Sequence, residues 1–117
     1  MPKNFRDITR SISASLAKLR LDTPEPMKAF TALSQAALRE GALSAKTKEL
    51  IALALGVAAH CDGCIGFHVK ALIRLGATRG EIEEALAVAV YMGGGPSLMH
   101  AAEALSAYEE LSEPVTA

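Results

Sequence analysis

Tryptophan is absent from this 117-residue chain, and only three Phe and two Tyr supply aromatic bulk. A β-sandwich draws its core from aromatic and β-branched residues, so their scarcity argues against one. Charge of one sign is missing as well: 12 Lys and Arg are interspersed with 13 Asp and Glu, for a formal net charge of −1. That balance excludes the basic field with which a nucleic-acid binder neutralises phosphates. The longest apolar run, Leu50 to Ala59, is about half of what spans a bilayer, so no membrane segment is expected. The opening stretch MPKNFRDITRSISAS lacks the apolar centre of a secretory signal. The expected compartment is therefore the cytosol. Cysteine is scarce too, with two residues in all. Structural disulfides are rare in the cytosol, where a close cysteine pair more often has redox or metal chemistry.

What is present is Ala and Leu. Half of the chain is hydrophobic, and most of that mass lies in these two residues. The composition suits closely packed helices, and the length suits one domain, residues 1–117, with a single core. The expected fold class is all-α, with about six helices. Phe5, Ile8, Ile12, Leu16 and Leu19 recur at helical spacing from about Asn4 to Arg20. Asp22-Thr23-Pro24-Glu25-Pro26 interrupts the pattern, with Thr23 as a cap for a second helix and Pro24 as its first residue. That helix runs through Met27, Phe30, Leu33 and Leu38 to about Glu40, before Gly41. Ser44 caps a third that ends near Ala59. The fourth starts at Cys61 or Asp62 and ends at Gly76, a residue that tolerates the left-handed conformation. Thr78 and Glu81 form a capping box for the fifth, which settles the alternating stretch Leu86 to Tyr91 as helix and not strand. Gly93-Gly94-Gly95-Pro96 stops it, a sixth helix runs from about Ser97 to Leu111, and the tail to Ala117 is expected to fray.

The segment from Glu49 to His68, ELIALALGVAAHCDGCIGFH, concentrates the chemistry-bearing residues. Cys61, Cys64 and His68 stand at i, i+3 and i+7, offsets that share one helix face. Cys61 falls at the helix N-terminus, where unpaired N–H groups and the macrodipole favour a thiolate. A C-x-x-C at that position can close a disulfide with little backbone movement. Three readings fit the residues alone. The cysteines are a redox pair; they join His68 and either His60 or His100 in a zinc site; or they are two buried thiols. Glu49 by itself reads as a solvated charge in the first turn of its helix. C-type haem attachment is excluded because Ile65, not His, follows Cys64.

A magnitude decides what a redox pair would need most. Lowering a thiol pKa of ~8.5 by two units makes the group mostly thiolate at neutral pH, but nucleophilicity falls with a slope of ~0.4–0.5. The net gain is a few-fold. Protonating a poor alkoxide or hydroxide leaving group is the harder problem. A placed acid contributes about 10²–10⁴-fold there, and His68 is the natural donor.

Glu49-x₁₁-Cys61-x-x-Cys64-x₃-His68, on Ala/Leu-rich helices, resembles the AhpD-like alkylhydroperoxidases of the carboxymuconolactone decarboxylase family, over roughly Met27 to Glu109. The resemblance implies an AhpD-like helical fold that assembles as homo-oligomeric trimers or hexamers. It implies a peroxidase cycle without cofactor or metal, in which Cys64 attacks a hydroperoxide and Cys61 resolves the sulfenic acid to a Cys61–Cys64 disulfide. His68 would take and return the proton, Glu49 would orient or relay through His68, and a lipoyl- or thioredoxin-like dithiol reductant would restore the pair. The family's decarboxylase branch lacks the cysteine pair, which argues against lactone decarboxylation. One position departs from well-known members. They carry a histidine directly before the second cysteine, where Gly63 stands here, while His60 precedes the first cysteine instead.

Helices three and five, ELIALALGVAA and EALAVAVYM, are apolar almost all the way round. A chain this short sheathes few helices on every side, so part of these faces is expected at subunit contacts. Tyr91 and His100 read as packing or interface residues, and Met92, Leu98 and Met99 as core filler.

Overall fold

The structure, a computed structural model, describes residues 2–114. Among the described residues it contains six helices and no strand: α1 (Phe5–Asp22), α2 (Pro24–Leu38), α3 (Ala45–Ala58), α4 (Asp62–Arg74), α5 (Arg79–Gly93) and α6 (Gly95–Ser112). The fraying expected for the last three residues, 115–117, lies outside the described residues. No described helix is long and apolar enough to cross a membrane.

The caps follow from local chemistry. Ser44 Oγ accepts the Thr47 N–H at 3.1 Å and starts α3. The Thr78–Glu81 capping box starts α5 as expected. Thr23 differs: it stands between α1 and α2 but makes no side-chain cap for α2, because its hydroxyl donates backwards to the Leu19 carbonyl at 2.9 Å. α2 stops at Leu38, two residues before Glu40, whose carboxylate instead accepts the Ala45 N–H at the start of α3. Gly76 adopts φ 78°, and the Ala77 and Gly76 N–H groups bond back to Leu72 and Ile73. This is the paired-bond ending that a left-handed residue after a helix makes possible.

The core is built by α3, α4, α5 and α6, with Leu53, Val57, Ile65, Leu72 and Ile82 fully buried. Small residues on α6, Ala101, Ala104 and Ala107, let that helix approach closely. The first turns of α1 close one end: Phe5 and Thr9 are buried, and the Phe5 and Arg6 N–H groups bond the Glu110 carboxylate. α2 has no buried residue, and its Phe30 is 67% exposed. Ile51 and Leu55 on α3 and Val88 on α5 also face outward. Met92, Leu98 and Met99 are exposed near the α5–α6 corner and so are not core filler.

Candidate active site

The site begins with how α3 ends. Ala59 caps it, and His60 follows with φ 58°, in the left-handed region where glycine is usual. The His60 N–H bonds the Val57 carbonyl and the Cys61 N–H bonds the Gly56 carbonyl, each at 3.0 Å. This is the same ending that Gly76 gives α4, made here with a side chain in place. The His60 ring stacks on His100 from α6, with centroids 4.6 Å apart and planes 12° from parallel.

Cys61 is thereby both the last residue of one helix ending and the cap of the next helix. Its Sγ accepts the Cys64 N–H at 3.1 Å. A sulfur in that place receives the hydrogen bond and the positive end of the helix dipole, both of which favour a thiolate when the pair is reduced. Cys61 and Cys64 are joined as a disulfide, their Cα atoms 5.2 Å apart, within the range a disulfide tolerates. Both residues are half-buried.

Glu49 lies in the second turn of α3, 8% exposed, which corrects its reading as a solvated first-turn charge. Its Oε2 is 2.6 Å from His68 Nδ1. Where the carboxylate is ionised it only accepts, so Nδ1 then donates and, in a neutral ring, Nε2 is the basic nitrogen. His68 is itself one helical turn beyond Cys64. All four residues singled out from the sequence are thus brought together by one helix pair, Glu49 on α3 and Cys61, Cys64 and His68 at the start of α4.

Two neighbours of the pair carry little sequence signal. Gly56, buried on α3, lets that helix touch α4: a β-carbon there would lie 2.9 Å from Cys64 Cβ. A glycine inside an apolar helix costs about 1 kcal/mol relative to Ala, and that cost is the available hint of a close approach. Gly63 is the counterpart on the other side of α4. A β-carbon on it would lie 2.8 Å from Ile12 Cδ1 of α1, so α1 fills the space beside it.

The zinc set considered from the sequence is not assembled. Both thiols are consumed by the disulfide, and His100 belongs to another trio, with Asp62 and Glu103, whose ligand-type atoms lie within 4.8 Å of one another. The Lys3 ammonium already bridges two members of that trio, 3.0 Å from Asp62 and 2.8 Å from Glu103. A cleft of about 490 Å³ between α1, α4 and α6 and one of about 550 Å³ between α1 and α2 are lined by neither cysteine nor by His68.

A bundle of helices with a cysteine pair at the start of one helix and a part-buried Glu–His pair beside it is the arrangement to be placed among known proteins. The sequence profile of the carboxymuconolactone decarboxylase family matches residues 24–107, and the chain belongs to that family. A crystallised family protein from Legionella pneumophila, in its apo form, is 60% identical and superposes with a TM-score of 0.92, covering 93% of this chain and 97% of that one. A Thermotoga maritima family protein with a possible part in an antioxidative response is 33% identical, with a TM-score of 0.80 and 88% of each chain covered. An uncharacterized protein from Cupriavidus necator is 44% identical over 96% of this chain and 99% of its own length.

Proposed function

We propose that the protein is a thiol-dependent peroxidase and disulfide oxidoreductase that reduces hydroperoxides through Cys61 and Cys64. The observation that carries this reading is the part-buried Glu49–His68 pair one helical turn from a closed Cys61–Cys64 disulfide. A structural disulfide has no need of a histidine held in one tautomer beside it; a proton-coupled dithiol cycle does. The antioxidative connection of the T. maritima relative points the same way.

In the reduced protein, the His68 Nε2 accepts the proton of the Cys64 thiol. The Cys64 thiolate attacks one peroxide oxygen, the O–O bond breaks, and His68 returns the proton to the departing alkoxide. Cys64 is now a sulfenic acid and the substrate an alcohol. The Cys61 thiolate, favoured by its capping position, attacks Cys64 Sγ and expels hydroxide, which leaves as water after protonation. That step yields a Cys61–Cys64 disulfide. An external dithiol, lipoyl- or thioredoxin-like, supplies two electrons by exchange and becomes a disulfide itself. Glu49 holds the His68 ring and stabilises its imidazolium form. A cytosolic setting fits the need for a reductant. Homo-oligomeric assembly fits the outward-facing Phe30, Leu33, Leu55 and Val88.

The test is thiol counting on the reduced protein before and after one equivalent of hydroperoxide. Wild type is expected to lose two thiols. Cys61→Ser should consume one equivalent and stall as a sulfenic acid, while Cys64→Ser should be inert. Equal consumption by the two variants would reject the roles, and no loss in wild type would reject the peroxidase reading.

A further inference from the structure

α1 and the residues just before it lie outside the family-matched residues 24–107, yet between them they reach both residues that separate the cysteines. Its Ile12 occupies the space beside Gly63. Lys3, just before α1, reaches Asp62, the residue that follows Cys61, and at the same time Glu103 on α6. The Lys3 ammonium is held in its charged form by these two carboxylates, through hydrogen bonds first to Glu103 and then to Asp62, and its pKa is raised above 10.5. The charged and titratable groups around it are Asp62 on α4, Glu103 and His100 on α6, and His60, which stacks on His100.

Without Lys3, two carboxylates would stand uncompensated, one of them on Asp62, the residue that follows Cys61 at the start of α4. A nearby anion disfavours the ionisation of a thiol. We propose that Lys3 is a positioning residue of the redox pair: its ammonium neutralises Asp62, the residue after Cys61, together with Glu103, and so keeps the Cys61 thiolate favourable in the reduced protein. The segment that precedes the family core is then part of the working site. This inference rests on Cys61 and Cys64 cycling between dithiol and disulfide.

The test is the pH profile of iodoacetamide alkylation of the fully reduced full-length chain, with mass spectrometry separating Cys61 from Cys64. Lys3→Met is expected to raise the Cys61 midpoint by about one unit. At neutral pH a tenfold smaller thiolate fraction is partly offset by higher nucleophilicity, so alkylation should slow about threefold. Lys3→Arg should restore the wild-type profile, and adding Asp62→Asn to Lys3→Met should recover most of the loss, which a merely structural anchor would not do. Should Lys3→Met fail to fold, Asp62→Asn with Glu103→Gln in the presence of Lys3 is expected to move the Cys61 midpoint below wild type. A Lys3→Met midpoint equal to wild type, or an unchanged or raised midpoint in the double carboxamide, overturns the proposal. The readout uses no peroxide, so an inactive peroxidase with a shifted Cys61 midpoint sinks the functional reading and leaves the Lys3 role standing.

Discussion

Gly56 on α3 and Cys64 on α4 are in contact so close that a single added carbon would sit 2.9 Å from Cys64 Cβ. That atom is anchored to the α4 backbone and cannot swing aside, so an alanine must push the helices apart. Helix propensity alone favours Ala by about 1 kcal/mol, whereas overpacking costs about 1–3 kcal/mol. Gly56→Ala is expected to lose on the order of 1 kcal/mol in denaturant unfolding and to slow disulfide closure. A more stable variant with unchanged closure would show that the contact is slack.

Glu49→Gln keeps the size and one acceptor but removes the charge that stabilises the His68 imidazolium. Turnover with hydroperoxide should fall about tenfold or more, as it does when a carboxylate that orients a catalytic histidine is neutralised. Circular dichroism should be unchanged. Full activity would return Glu49 to a purely structural part.

His60 holds a left-handed conformation at a cost of about 1–2 kcal/mol, balanced by a stack on His100 worth about 0.5–1.5 kcal/mol. His60→Gly loses both terms, so stability should change by less than about 1 kcal/mol. His60→Ala keeps the strain and loses the stack, and should melt lower than His60→Gly. The reverse order of melting temperatures would mean that the turn does not hold its left-handed form.

The space beside Gly63 is filled by Ile12, at the flexible end of its side chain. Gly63→His alone should strain α1 against α4 and lower the melting temperature. Combined with Ile12→Ala, it should recover stability and place a second imidazole beside the pair, raising peroxide turnover. A double variant no faster than Ile12→Ala alone would show that His68 already meets the demand for proton transfer.

Glu81 is held below 4.5 by the Lys46 ammonium first and then by the Thr78 N–H. A folded-state value below the unfolded one stabilises the protein above the ordinary carboxylate range, and that stability is lost as pH falls through the folded value. Glu81→Gln should therefore melt lower than wild type at neutral pH and differ less from it in acid. A constant gap across that range would assign the effect to packing.

The helices were legible because their signals are local. Thr78 and Glu81 cap α5 with atoms three residues apart, and Gly76 ends α4 through its own backbone. Where a local sign failed, a competing contact was made: the Glu40 carboxylate bonds the start of α3, and the Thr23 hydroxyl bonds back to Leu19 instead of capping α2. Glu49 shows the limit well. Its distance along the chain from Cys61 marked it, but whether it would be solvated or buried depended on His68, nineteen residues away.

The helical class, most of the helix ends and the capping cysteine pair were readable in the sequence, because they depend on neighbours within one or two turns. The fold had to show that Glu49 meets His68, that Ile12 fills the space beside Gly63, and that Lys3 reaches Asp62. Those contacts join residues from different helices, and their chemistry depends on how closely Gly56 and Gly63 let α3 and α1 approach α4. Side-chain spacing along one helix is set by its geometry; the distance between helices is set by whatever fills, or leaves empty, the space between them.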